Sequence, residues 1–278
     1  MKSPKEIDLE QKILVLVNEI IALSDNNDSL PLKVVEKLID DEEIQAIQDY
    51  ANTVSIVRLG FNDHGPVHMR TVCRNSLKML KILHQKGIKT SLETEGAGSF
   101  CDSVTAIIFS TFFHDFGMTV GRQDHELYSG IIGFSMIKRI LEEVLPGKEN
   151  IARRTRISSL ALEGILGHMG TRKIHSLEAG LVLIADGLDM TKGRARIPLE
   201  LNSKPSVGDI HKYSANSIEK VVISSGEEKP IKIQITMSAE VGFFQIEEVL
   251  FHKIDSSPAK NLIELYAGVE NQEIKKYL

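Results

Sequence analysis

The chain of 278 residues has no tryptophan and two cysteines, and aromatic residues make up 5% of it. Cys73 and Cys101 each lack a second cysteine nearby, so we expect neither a disulfide framework nor a cysteine-based zinc site. No apolar run reaches the roughly 18 residues that a membrane-spanning helix needs, and the N-terminus lacks the pattern of a signal peptide. We therefore expect a cytoplasmic protein that does not cross a membrane.

Basic residues are fewer than acidic ones, 33 against 38, which gives a net charge of −5. This balance disfavours binding to a nucleic-acid polymer through net charge. A chain of this length with 42% hydrophobic residues can bury a hydrophobic core without disulfides or oligomerisation. The composition therefore neither requires nor excludes a homo-oligomer. The composition includes nine histidines. Their positions in the chain indicate where a functional site could lie.

The pattern of apolar residues changes once, near residue 200. Before this point apolar residues recur at helical spacing, as in Ile13, Val17 and Ile20. After it, residues 231 to 237 alternate apolar and polar behind a turn, which predicts a β-hairpin. A helix is expected at about 243 to 253, and a third strand at 262 to 266.

We therefore predict a mainly α fold, with a helical core and a smaller C-terminal α+β unit. Proline, serine and glycine residues within 199–208 mark the expected boundary. The predicted divisions are an N-terminal helical segment at 1–55 that packs on the core, a helical domain at 56–200 and a small α+β domain at 205–278.

Two of the predicted core segments carry histidines where apolar residues are expected. His68 lies on the apolar stripe of a helix predicted from Pro66 to about Lys86, and His64 lies one turn earlier. His114 and Asp115 end a nearly continuous apolar run that begins at Asp102 and suits either a helix or a buried strand. A buried carboxylate costs several kcal/mol unless a cation or strong donors compensate it. A divalent metal ion would do so, and a His–Asp pair at a helix end is the alternative.

Three further segments repeat this pattern. His125 opens a predicted helix and His168 ends another, where a solvated histidine or one that interacts with the helix dipole is the simpler explanation. Asp186 lies on the apolar face of a third helix, with no Lys or Arg three or four positions away. Each position alone has an ordinary explanation, but a single metal centre would account for all of them.

The order of these residues resembles the H…HD…D signature of the HD-domain metal-dependent phosphohydrolase superfamily. The similar segments are V-H-M-R-T-V-C-R-N-S at His68, F-F-H-D-F-G at His114–Asp115 and L-I-A-D-G-L-D at Asp186. R-Q-D-H-E-L-Y-S-G and G-I-L-G-H-M-G resemble the segments with two extra histidines in the binuclear branches, although M-G-T-R-K follows His168 where cyclic-dinucleotide phosphodiesterases have G-Y-P. The resemblance spans about residues 60 to 195. The full chain is also similar to archaeal HD-domain proteins with an appended α+β segment.

This resemblance implies a centre for one or two divalent metal ions, and Mn, Fe, Co, Ni, Mg and Zn are all left open. His68, His114, Asp115 and Asp186 would bind the first ion. Asp115 would bridge to a second ion held by His125 and His168.

The implied activity is that of a phosphatase or phosphodiesterase, which cleaves a nucleotide or other small phosphorylated substrate with a metal-activated water. Asp115 and His64 would take part in catalysis, with His64 as the candidate general acid. Phosphoryl transfer also needs positive charge around the phosphate oxygens. The candidate cations, which could equally be a solvated helix end, are Arg122, Lys192, Arg194 and Arg196.

Two other activities fit the same pattern. A di-iron oxygenase of this superfamily would use the same His and Asp ligands to activate dioxygen. A regulatory module would bind a nucleotide without turnover and use the C-terminal unit to transmit its state.

Overall fold

Amphipathic helices form most of the first 190 residues. The computed structural model describes residues 2–24, 27–191 and 214–278. The α-helices of the helical body are α1 Pro4–Leu23, α2 Leu30–Asp40, α3 Glu42–Thr53, α4 Pro66–Gln85, α5 Ser91–Thr94, α6 Phe100–Phe113, α7 His125–Val144, α8 Ile151–Gly167 and α9 Leu177–Leu188. Shorter helical turns lie at Val54–Arg58, Phe116–Thr119 and Lys148–Asn150.

The helix α6 lies at the centre of this body. Every residue from Phe100 to Phe113 is buried, and the helix contacts α2, α4, α7, α8 and α9. The helix begins before Asp102 because the side chain of Ser99 caps it, with Asp102 at the third helical position of a capping box. The apolar run that suited either a helix or a strand is therefore a helix that is surrounded by other helices.

The C-terminal residues that the structure describes include a four-stranded sheet and a helix that follows its second strand. The strands are β1 Ile218–Ser225, β2 Ile231–Met237, β3 Ile263–Val269 and β4 Lys275–Lys276, in the order β1-β2-β3-β4. β1 and β2 form the predicted antiparallel hairpin, and β3 runs parallel to β2. The connection between β2 and β3 contains a helix, α10. It consists of three consecutive pieces, Phe243–Gln245, the π-helical Ile246–Leu250 and Phe251–Ser256. Short helical turns lie before and after it, at Glu240–Gly242 and Lys260–Leu262.

The predicted fold class is thus confirmed: a mainly helical core carries a smaller C-terminal α+β unit. The domain limits stay a prediction, and the proposed boundary at 199–208 lies outside the described residues. The two-residue strand β4 was not expected from the sequence. Among the helices that the structure describes, none combines the length and the apolar character needed to cross a membrane.

Two glycines of α9 let the C-terminal unit approach the helical body closely. A Cβ atom on Gly180 would lie 2.6 Å from Ser257 Oγ, and one on Gly187 would lie 3.0 Å from Lys253 Cδ. These glycines are seven residues apart and so lie on the same face of the helix. α10 and the segment after it pack along this face, next to Asp186.

Candidate metal centre

The six predicted ligands lie together at the centre of the helical body. They come from five helices or helix ends, and all are buried, with 8% as the highest exposed fraction. The residues are His68 of α4, His114 and Asp115 after α6, His125 of α7, His168 after α8 and Asp186 of α9.

Four of these side chains form a first group. His68 Nε2 lies 3.1 Å from His114 Nε2, 3.3 Å from Asp115 Oδ2 and 3.1 Å from Asp186 Oδ1. His114 Nε2 lies 3.3 Å from Asp115 Oδ2 and 3.9 Å from Asp186 Oδ1. Atoms about 2.1 Å from a shared ion are about 3 to 3.5 Å apart in tetrahedral geometry, so this group could hold a metal ion.

A second group lies on the other side of Asp115. His125 Nε2 and His168 Nε2 are 3.1 Å apart, and they lie 3.3 and 3.5 Å from Asp115 Oδ1. His114, Asp115 and His168 also form a set of ligand atoms that could hold an ion. The two oxygens of Asp115 therefore face different groups of imidazoles.

The charges in this centre fit a bound cation. Asp115 Oδ2 is buried and has no hydrogen-bond donor among the described residues, which is costly for a carboxylate. Burial raises the pKa of Asp115, but His114 and His64 outweigh this effect and hold the pKa well below its usual value. Burial lowers the pKa of His168 to about 4, so its imidazole is neutral at neutral pH, as a metal ligand requires.

Hydrogen bonds outside the centre fix the orientation of the four imidazoles. In each ring Nδ1 contacts an oxygen, which leaves Nε2 directed at the centre, as is usual for metal-binding histidines. The partners are Asp189 Oδ2 for His68 (2.6 Å), Thr111 O for His114 (2.9 Å), Arg122 O for His125 (3.0 Å) and Ile165 O for His168 (2.7 Å).

Two residues of this arrangement were not predicted from the sequence. Asp189 follows Asp186 by three residues. The helical repeat therefore predicts that both carboxylates lie on the same side, one turn apart, and this spacing could have identified Asp189. Lys253 Nζ donates to Asp186 Oδ2 and, at 2.8 Å, to His168 O. It lies 67 residues from Asp186 in the sequence, so no local pattern indicates it. Burial raises the pKa of Asp186, but Lys253 and then His68 outweigh this effect and hold the pKa well below its usual value.

The other predicted site residues do not belong to the two ligand groups. His64 is buried, its Nδ1 lies 2.6 Å from Asn62 O, and its ring centroid is 5.8 Å from that of His68. Arg122 Nη1 lies 3.5 Å from His125 Nε2. The predicted phosphate-binding residues Lys192, Arg194 and Arg196 lie outside the described residues.

A cavity of about 980 Å³ opens onto the centre. The helical body lines one side of it with His64, Asp115, Arg122, His168 and Asp186. α10 lines the other side with Gln245, Glu248, Val249, His252, Lys253 and Ser256. This volume lies at the upper end of the range for small-molecule sites, about 300 to 1,000 Å³.

The fold and the site define a mainly helical chain with buried His and Asp groups that could hold metal ions. No protein-family model matches the chain. No solved structure matches it. The chain is similar to "Uncharacterized protein MJ1020" of Methanocaldococcus jannaschii, with 38% identity over 244 residues that cover 88% of this chain and 91% of the relative. The chain belongs to the family of this archaeal protein.

Proposed function

We propose that this protein is a metal-dependent phosphohydrolase of the HD-domain superfamily, which cleaves a phosphomonoester or phosphodiester of a nucleotide or other small phosphorylated substrate. The proposal rests on the position of Asp115. Its two carboxylate oxygens face two separate groups of imidazole nitrogens. A carboxylate shared in this way suits the two-metal sites that catalyse phosphoryl transfer.

Each ligand has a place in this proposal. His68, His114 and Asp186 would hold one ion, His125 and His168 would hold a second, and Asp115 would contact both. Divalent ions would supply a water of lowered pKa and would offset negative charge on the phosphate.

The cavity walls supply groups for the substrate. Arg122 and Lys253 both line the cavity beside the centre, and their positive charges would attract phosphate oxygens. Lys192, Arg194 and Arg196 lie outside the described residues and stay candidates from the sequence for the same role. His64 is the candidate general acid: it lines the cavity, and its Nδ1 contacts Asn62 O at 2.6 Å and Ser55 Oγ at 2.8 Å, so that these contacts would orient its ring.

The di-iron oxygenase is the second candidate, because four imidazoles and two carboxylates also suit iron. The cations at the cavity wall favour the hydrolase, since an anionic substrate would profit from them. No contact among the described residues specifically favours a regulatory module without turnover.

The test begins with removal of metal by a chelator and reloading with Mn, Co, Ni, Mg, Zn or Fe. We expect the metal-free protein to be inactive against nucleotides and other phosphoesters, and at least one reloaded form to hydrolyse them. Activity that requires iron and dioxygen and cleaves no phosphoester would refute the hydrolase.

Substitution of both His114 and Asp115 by Ala tests the site. We expect stoichiometric metal binding and turnover to be lost, because His114 belongs to the first ligand group and Asp115 contributes to both. His175→Ala is the matched control, since His175 is exposed on the surface. Metal content equal to wild type in the double variant would contradict the proposed centre.

A further inference from the structure

Lys253 lies at the junction between the C-terminal unit and the candidate metal centre. It belongs to α10, and its side chain is 11% exposed. Its ammonium group contacts the Asp186 carboxylate and donates to the His168 carbonyl at 2.8 Å. A lysine of the C-terminal unit thus contacts one residue from each of the two ligand groups.

The ammonium group has capacity for another partner. A lysine carries three N–H donors, and among the described residues Asp186 and His168 accept from two of them. Lys253 also lines the cavity that opens onto the centre. One donor therefore remains for a molecule bound in this cavity.

The packing of α9 against α10 fixes the position of this lysine. Gly187 leaves room for its aliphatic stem, because a Cβ there would lie 3.0 Å from Lys253 Cδ and 3.3 Å from Leu250 Cδ1. Gly180 allows the same close approach two turns earlier, at Ser257. The packing of α10 against α9 therefore restricts the Lys253 side chain, in contrast to a lysine on an exposed surface.

The cavity also has an electrostatic need for this cation. Asp115, Asp186 and Asp189 all line it, and any part of their negative charge that bound metal ions leave uncompensated would repel a phosphate group. A positive charge beside them reduces this repulsion and offers a charge-assisted hydrogen bond.

We propose that Lys253 is a substrate-binding residue that donates to a phosphoryl oxygen at the metal centre, so that the C-terminal unit completes the site. This inference rests on the proposed phosphohydrolase and extends it to a specific anion contact. The unit that carries α10 would then be part of the active site.

The experiment compares Lys253→Met, which keeps the stem and removes the charge, with wild type. Lys260→Met is the control, because Lys260 belongs to the same unit and forms an exposed ion pair with Asp255. Calorimetry measures the binding of inorganic phosphate to the full-length protein at saturating metal, and metal content is measured in parallel. We expect K253M to bind phosphate about tenfold or more weakly, as for loss of a hydrogen bond to a charged group, with unchanged metal content and with K260M equal to wild type.

Three results would overturn the proposal. These are equal phosphate affinity in K253M and wild type, no phosphate binding by metal-loaded wild type, and loss of metal from K253M in proportion to the loss of phosphate binding. Failure of the proposed function has a different signature. In that case the loaded wild type would bind phosphate more tightly than K253M but hydrolyse no phosphoester.

Discussion

Substitution of Arg70 by Met tests whether a buried ion-pair network holds the helix that carries His68. Arg70 has no exposed surface and lies two residues after His68 in α4. Its Nε lies 2.8 Å from Glu10 Oε1, and its Nη2 lies 3.2 Å from Glu6 Oε1. Its Nη1 also donates to Gln48 Oε1 at 2.7 Å. The network therefore ties α1 and α3 to α4.

The expected cost follows from the partners that lose Arg70. Glu10 keeps Lys2 at 2.9 Å, but Glu6 is 3% exposed, and in the described part of the chain Arg70 is the cation in contact with it. Removing one member of a buried ion pair typically costs about 3 to 5 kcal/mol. We expect R70M to lose about this much free energy of unfolding, measured by urea denaturation of the metal-free protein.

A second substitution separates the charge from the packing. Glu6→Gln in the R70M background removes the uncompensated carboxylate, so we expect it to recover about 1 to 3 kcal/mol, which a double-mutant cycle measures. A loss below about 1 kcal/mol in R70M, or no recovery with E6Q, would refute the reasoning.

Two further predictions concern the histidines of the centre. Asp189→Ala should weaken metal binding about 10- to 100-fold, because Asp189 orients the His68 ring; Asp189→Asn should lose less, and equal affinity in D189A and wild type would exclude this role. The metal-free protein should lose stability as the pH falls from about 6.5 to about 4. In this range the unfolded chain protonates His168, whereas in the fold its pKa is lowered to about 4, so up to about 3 kcal/mol is lost. Denaturation of His168→Gln across this range should give a shallower pH dependence, and an unchanged slope would contradict the assignment.

The sequence predicted the helices and the inward position of the individual site residues because both depend on local spacing. His68, Asp186 and the apolar residues around them follow the helical repeat, so the side of each helix that faces the core can be read directly. His114 and Asp115 stand at the end of an apolar run, which indicates burial without any knowledge of the neighbouring helices.

Long-range contacts lack such a signal. Lys253 reaches Asp186 because α10 docks on α9, and nothing near position 253 marks it as a partner of a residue 67 positions away. The apolar run that begins at Asp102 also does not show that α6 starts at Phe100, because Ser99 and Asp102 are both good capping residues and the capping box assigns them different roles. The two-residue β4 is too short for its alternation to be visible.

The two carboxylates at the centre are compensated in different ways. Asp186 has a protein cation in contact with Oδ2, whereas its Oδ1 faces His68 at 3.1 Å. Asp115 is more deeply buried, and its Oδ2 has no donor in the described part of the chain; the imidazole nitrogens of His68 and His114 each lie 3.3 Å from it. In a neutral ring whose Nδ1 carries the proton these nitrogens are acceptors and cannot satisfy the carboxylate, whereas a protonated His114 attracts it, which is how His114 lowers the pKa of Asp115 in the metal-free protein. A metal ion held by these residues would be attracted to the carboxylate and to both imidazole nitrogens, so its binding would offset the cost of burying Asp115.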